Sequence, residues 1–456
     1  MDVKELVQKQ RDFFMTGKTK PVAFRKTALQ HLHDAIQASE EKVLAALKSD
    51  LGKAEQEAYM TELSLVYEEI KVVTANLEKW AKPKKVRPSL AQLPATCQTR
   101  MEPYGVVLIM APWNYPFLLS IEPLIGALAA GNCAIVKPSN YAPATSAVIA
   151  EIVQKVFAKK YVTVIEGGRE QNTSLLEQKF DYIFFTGGAA VGKVVMQAAA
   201  NNLTPVSLEL GGKSPCIVEE TADLQMAAKR IVFGKLVNAG QTCVAPDYVL
   251  VQEIVKDPLL WFIRHELKMA LGEEPLQSEE YPRIVNEKHF KRLAAMLEGE
   301  SCYVGGTLDE ETLKIAPTIL DKVTEESACM QEEIFGPILP IVTFKEIEDA
   351  IAFVQKREKP LACYVFTADK DIEEKVLEEV SFGGGCINDT ILHLASSNMG
   401  FGGVGGSGMG SYHGEKSFTT FSHEKSIMKK IGSADPGLRF HPYAKWKMLL
   451  LKKLFH

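Results

Sequence analysis

The sequence predicts an α/β protein built from at least two units, each organised around a parallel sheet. Three observations carry this. At 456 residues the chain exceeds what one compact core organises, since domains run about 100 to 200 residues, so two or three packed units are expected. From residue 105 onward, short apolar runs alternate with helical stretches: GVVLIMAP, CAIVKPS at 133–139, VTVIEGG at 162–168 and YIFFTGG at 182–188. That alternation is the mark of βα units. A second series follows, with PCIVEE at 215–220, a helical stretch over 223–237, YVLVQ at 248–252 and ACYVFTA at 362–368.

The remaining segments fit around these two series. Residues 1–80 read as amphipathic helix, because Leu29, Leu32, Ile36, Val43 and Leu47 recur at three-, four- and seven-residue steps between charged positions. Three prolines and a basic run over Pro83–Pro94 break that pattern and predict an exposed connection. Segment 399–414 is too dense in glycine for a helix or regular strand and predicts a loop that approaches something closely. No run reaches the roughly 18 apolar residues of a membrane-spanning helix.

Composition bounds function loosely. Hydrophobic content of 46% and charged content of 24% are those of an ordinary globular protein. A net charge of -5 gives no global reason to bind nucleic acid, and no nucleic-acid partner is expected. The eight cysteines show no CxxC pair and no clustering with histidine, which argues against a metal site. The charged, helical N-terminus is unlike a signal peptide, so reduced thiols in a cytoplasmic protein are expected.

Several residues are chemical candidates, each with an ordinary reading beside the functional one. Gly187, Gly188, Ala189, Ala190, Val191 and Gly192 follow a strand and open a helix, where amides and the helix dipole suit a pyrophosphate. A plain tight turn reads the same way. Lys137 ends another strand, where open α/β sheets bind ligands, yet alone it reads as a surface lysine. Cys243 sits in a small polar turn after a helical stretch, although a lone cytosolic cysteine is more often buried and inert. Glu209 ends an apolar strand before two glycines, the place of a general base or of a solvated charge. Asn114, between two prolines, is a rigid amide donor for an oxyanion or an ordinary turn residue.

Taken together, MAPWNYP at 110–116, VKPS at 136–139, FTGG at 185–188, ELGGKSP at 209–215, GQTC at 240–243, EEIFGP at 332–337 and FGGVGGSGMG at 401–410 resemble the aldehyde dehydrogenase superfamily across essentially the whole chain. GQTCVAPDYVL, PLA at 360–362 and GMGSYHGEKSF look like its class 3 branch of dimeric fatty and aromatic aldehyde dehydrogenases. The resemblance implies a Rossmann-like cofactor domain over 1–81 and 104–208, completed by 387–411, and a second α/β catalytic domain over 209–386. It implies a small bridging, oligomerising β segment over 82–103 and 412–431, and a tail over 432–456.

It also implies a reaction. Cys243 attacks the aldehyde carbonyl, and the oxyanion is held by the Asn114 side chain and the Cys243 N–H. Hydride passes to NAD or NADP, and water activated by Glu209 hydrolyses the thioester, with Glu333 a rival for that role. Lys137 is assigned to the adenosine ribose, residues 187–192 to the pyrophosphate, and Glu333 with Phe335 to the nicotinamide ribose and ring. Asn140 stands where the family commonly has Glu, removing a charge that would repel a 2'-phosphate, and Gly188-Ala189 replaces a hydroxyl-bearing pair. The partners implied are a small aldehyde and a second copy of the chain. The basic, apolar tail YAKWKMLLLKKLFH at 443–456 is a candidate for peripheral membrane contact or for capping the substrate entrance. A CoA-acylating or reductive enzyme, or an inactive binding protein of this fold, are the alternatives.

Overall fold

Strands that are apolar on every side must be covered on both faces, and the structure, a computed structural model describing residues 2–455 except 434 and 436, does this twice. Met1 at the predicted helical start, and residues 434, 436 and 456 of the predicted tail, lie outside the described residues.

The first sheet has six strands in the order Gly408–Met409, Val206–Glu209, Tyr182–Thr186, Val106–Met110, Cys133–Lys137 and Val162–Val164. Its five longer members are parallel, with Leu108 facing Ile135 on one side and Ile183 on the other. Val106–Met110 and Cys133–Lys137 are buried throughout, which is why they carry no polar alternation. Helices Val22–Gln37, Glu40–Leu51 and Ser64–Ala81 belong to this half, and Leu29, Leu32, Ile36, Val43 and Leu47 are all completely buried, as their spacing predicts.

The second sheet has seven strands, Ser301–Val304, Thr318–Asp321, Ile338–Phe344, Tyr248–Gln252, Pro215–Val218, Ala362–Phe366 and Gly384–Ile387. All pair in parallel except the first two. The predicted helical stretch over 223–237 is the helix Leu224–Leu236, with Asp223 capping its start by accepting from the Met226 N–H at 3.1 Å.

Two expected loops are partly strand. The connection after Pro83 is exposed, but Lys84–Val86 pairs with Ala95–Pro103, which in turn pairs with Ser422–Lys430 in a third, antiparallel sheet. The glycine-rich segment contributes Gly408–Met409 to the edge of the first sheet, opposite Leu208 and Glu209. Its glycines permit the approach: a Cβ on Gly408 would lie 2.1 Å from the Leu208 carbonyl oxygen. The tail forms the helix Lys445–Phe455, with no buried residue.

Phe421 ties the end of the glycine-rich region to the first sheet. Its ring is fully buried against Tyr182 and Phe184, and its carbonyl accepts from Asn132 Nδ2 at 2.9 Å. Phe421→Ala is expected to lower stability by about 3–5 kcal/mol, read as a shifted midpoint at unchanged slope in urea unfolding.

Candidate active site

The strand order places a crevice before any side chain is considered. Numbered along the chain, the five parallel strands of the first sheet lie 3-2-1-4-5, so connections leave Val106–Met110 and Tyr182–Thr186 toward opposite faces. A ligand site is expected outside the carboxyl ends of those two strands. The residues that follow are Pro112, Trp113 and Asn114 on one side and Gly187 and Gly188 on the other. They line a cavity of about 380 Å³ with Glu209, Cys243, Glu333 and Phe335.

A second cavity, about 160 Å³, lies on the far side of Cys243 among Leu118, Phe233, Val237, Ile391 and Phe401. Cys243 and Leu119 belong to both. Glu122 and His413 also face the second cavity, His413 Nε2 lying 3.4 Å from Glu122 Oε1. Burial pushes the Glu122 carboxyl well up and the His413 imidazole down to about 3, each shift favouring the uncharged form of its group.

Cys243 is presented by a sharply bent segment. After the helix Leu224–Leu236, Asn238 and Ala239 take left-handed φ values of 53° and 51°. Such conformations cost about 1–3 kcal/mol each and persist only where surroundings impose them. The surroundings here are specific. Gln241 Nε2 donates to the carbonyls of Asn238 at 3.0 Å and Arg283 at 3.1 Å, and its Oε1 accepts from the Val285 N–H at 3.0 Å. Thr242 Oγ1 shares a 2.6 Å hydrogen bond with the Tyr115 hydroxyl. A Cβ on Gly240 would lie 2.3 Å from the Gly336 carbonyl oxygen.

The structure brings Cys243, Asn114, Glu209, Glu333 and Phe335 to one cavity. Burial, reinforced by Glu333 and Glu209, pushes the Cys243 thiol up to about 12. Asn114 Nδ2 donates to the Gln241 carbonyl at 3.0 Å, which fixes the amide while leaving its second N–H for a ligand. Glu209 is no solvated strand end: it is 2% exposed and neither carboxylate oxygen has a hydrogen-bond partner. Burial therefore drives its carboxyl well above the usual range, opposed by the nearby Gly403 amide, which stands outside hydrogen-bond geometry. Glu333 is raised to about 8, by burial first and then by Asp247. Gly211 makes room for it, since a Cβ there would lie 2.0 Å from Glu333 Oε2.

The dinucleotide candidates are partly reunited. Gly188 caps the helix Ala189–Ala200 without a side-chain hydrogen bond, and the space over it is open. Ala189, Ala190 and Val191 are exposed at the start of that helix, where amides left unpaired by the helix favour an anion. Thr186 Oγ1 and Glu333 Oε1, at the same cavity, are buried without partners. This arrangement fits a phosphate-bearing ligand with ribose hydroxyls. Gly192 instead lies buried one turn on, where a Cβ would meet Leu210 Cδ2 at 2.7 Å, so its missing side chain serves helix packing.

Lys137 is not a surface lysine: it is 3% exposed, and its Nζ donates to the Pro138 carbonyl at 2.7 Å. Burial lowers it to about 8, opposed by Glu166. Asn140 is exposed beside Gly168. Cys386 Sγ lies 3.6 Å from His393 Nδ1, but among the described residues no group of three or more His, Cys, Asp or Glu stands together to hold a metal ion.

Sequence reasoning missed the supports of the site: Lys53, Glu57, Glu62, Tyr115, Asn238 and Gln241. The charged three sit among other charged residues of the helical N-terminal region, where spacing does not separate an inward charge from a solvated one.

Comparison with known proteins agrees with this fold. The model of the "Aldehyde dehydrogenase family" matches residues 1–427. The 4,4'-diaponeurosporen-aldehyde dehydrogenase of Staphylococcus aureus is 50% identical over 97% of this chain and 97% of its own length. Aldehyde dehydrogenase family 3 member A2 of Macaca fascicularis is 45% identical over 93% of this chain and 87% of its own. A solved structure of Staphylococcus aureus AldH in a substrate-bound state superposes with a TM-score of 0.97 at 48% identity, covering 100% of this chain and 99% of that one.

The raised carboxyl of Glu209 makes a stability prediction with a definite sign. Burial raises Glu209 in the fold above the 4.5 at which it ionises in the unfolded chain, so over the window above that value the folded state binds more protons and stability falls as pH rises. The Tm of Glu209→Gln, measured relative to the parent, is expected to climb as pH goes from about 5 to about 9. A constant difference would mean Glu209 is solvated.

Proposed function

Because the chain belongs to the aldehyde dehydrogenase family, whose reaction is the NAD(P)-dependent oxidation of an aldehyde to a carboxylic acid, we propose that Cys243 is its nucleophile, Asn114 its oxyanion donor and Glu209 the base that activates water. One observation carries this reading: Cys243 is the thiol shared by an apolar cavity and by the crevice at the switch point of the first sheet.

The chemistry follows from what these groups can do. The thiol rests protonated, so attack on the aldehyde carbon requires a proton acceptor at hand, and Glu333, raised to about 8, is partly ionised near neutrality. As the C–S bond forms, the carbonyl oxygen becomes an alkoxide within reach of the free Asn114 N–H and the Cys243 backbone N–H. A nicotinamide held beside Glu333 and Phe335 would supply the hydride acceptor needed for oxidation to the thioester level. Glu209, in its ionised form, then takes a proton from water, whose oxygen adds to the acyl carbon and displaces Cys243 as a thiolate; the thiolate recovers its proton from Glu333, and Glu209 loses its proton to solvent as the acid leaves. Burial of Glu209 without hydrogen-bond partners raises its basicity when ionised, which favours it over Glu333 for this second proton transfer.

The open amides after Gly188, the unpartnered Thr186 hydroxyl and the buried Lys137 Nζ would hold the phosphates and adenosine ribose, and Glu333 with Phe335 the nicotinamide end. The uncharged Asn140 leaves room for the 2'-phosphate of NADP beside NAD. The substrate cavity suits an apolar aldehyde.

The domain division is proposed to follow the sheets: 1–81 and 104–208 with 387–411 for cofactor, 209–386 for catalysis, 82–103 with 412–431 bridging a homodimer. Exposed Val194 and Met196 on the helix Ala189–Ala200 support association of two copies. The tail helix carries Lys445, Lys447, Lys452 and Lys453 among exposed Trp446, Leu449 and Phe455, which supports contact with an anionic membrane surface. No helix among the described residues is long and apolar enough to cross a membrane. The eight free thiols suit a cytoplasmic compartment.

Cys243→Ser is expected to reduce aldehyde-dependent cofactor reduction by at least about a thousandfold while leaving cofactor affinity within about twofold. A panel of aliphatic, aromatic and carotenoid aldehydes with NAD and NADP gives the rates. Full turnover in Cys243→Ser overturns the mechanism.

A further inference from the structure

Beneath Asn114 lies an ion pair with no surface at all. Lys53 and Glu62 are both 0% exposed, and Lys53 Nζ lies 2.6 Å from Glu62 Oε1. Glu62 belongs to a π-helical turn, Tyr59–Leu63, a backbone irregularity that accompanies functional sites. A buried ion pair is a poor way to stabilise a fold, because an apolar pair of similar volume does as well or better. Its hydrogen bonds indicate another purpose.

Lys53 Nζ donates to the Asn114 main-chain carbonyl at 3.1 Å. Glu62 Oε2 accepts from the Phe117 N–H at 2.9 Å and the Leu118 N–H at 3.1 Å, closing the start of the helix Leu118–Ala130. The two charges thus clamp segment 114–118 at both ends. The clamp also reaches the thiol. Lys53 Nζ stands 4.0 Å from the centroid of the Tyr115 ring, and the Tyr115 hydroxyl bonds Thr242, next to Cys243. From the other side, Asn238 Nδ2 donates to the Asn114 carbonyl at 2.8 Å, while Glu57 Oε1 accepts from the Asn238 N–H at 2.8 Å.

We propose that Lys53 and Glu62 are positioning residues for the reaction, their ion pair holding Asn114 and, through Tyr115, the Thr242–Cys243 step so that both oxyanion donors are aimed before the aldehyde arrives. This rests on the reading of Asn114 as an oxyanion donor. A misplacement of about 1 Å at such a donor costs up to a hundredfold in rate, so a rigid charged clamp has a kinetic effect far larger than its effect on stability.

A double-mutant cycle separates this role from a structural one. Lys53→Met/Glu62→Gln removes both charges at similar volume, leaves no lone buried charge, and keeps a side-chain oxygen at position 62 to accept from the Phe117 and Leu118 N–H groups. In the full-length enzyme, with folding verified by a cooperative melt, it is expected to lower kcat at least about tenfold and to leave the cofactor KM within about twofold. Asn114→Ala is expected to lower kcat by about 10²–10³, and adding the pair substitutions to it should cost at least about threefold less than they cost in the parent, the remainder being the part carried through Tyr115 to Cys243. An equal fold-loss in both backgrounds, or an unchanged kcat in the parent background, overturns the proposal. Full activity of Asn114→Ala would instead overturn the reading beneath it. Tyr115→Phe removes one hydroxyl and keeps the ring beside Lys53, so it tests the Thr242 arm even if the pair variant does not fold; an unchanged kcat there overturns the proposal too.

Discussion

The arrangement depends on where a single thiol can stand. To face an apolar cavity on one side and a dinucleotide crevice on the other, Cys243 must lie where the chain of the second sheet crosses the carboxyl ends of the first. The 3-2-1-4-5 strand order opens that crevice, and the strained turn at Asn238 and Ala239 delivers the cysteine to it. The strain is held by Gln241, whose amide spans to Arg283 and Val285, so distant parts of the chain determine one backbone bend.

Excluding water from this junction has an electrostatic consequence. The thiol, Glu209, Glu333 and Glu122 all lose their usual acidity through burial, and His413 loses its usual basicity. Burial shifts each of these groups toward its neutral form, which lets an apolar aldehyde approach and leaves proton acceptors whose basicity is high once ionised. The site contrasts with the Lys53–Glu62 pair nearby, where two charges are buried together and satisfied by backbone groups. In the first case burial makes reagents; in the second it makes a frame.

Much of this was legible in the sequence, for physical reasons. Five apolar helix positions at regular steps all became core, because a helix that packs on a sheet has no other way to bury a stripe. The parallel strands announced themselves through unbroken apolar runs. What remained hidden depends on long-range contacts. Lys137 and Glu209 look like surface charges in any local window, and only the folded sheets remove them from water. The glycines at 402–410 signalled close approach but not that Gly408–Met409 would pair with Val206–Glu209, and the strand Lys84–Val86 was masked by its flanking prolines. Lys53 and Glu62 left no local mark, since nothing in an amphipathic pattern says which charged residue points inward.

The measurement that bears most directly on the role of Cys243 is rapid acid quench of the enzyme with aldehyde and cofactor, followed by peptide mass spectrometry. The expected result is an acyl group on the peptide carrying Cys243, formed only when cofactor is present and accumulating further in Glu209→Gln, where its hydrolysis is slowed. An acyl group on another residue, or its absence from Cys243 in a variant that still turns over, would contradict the account.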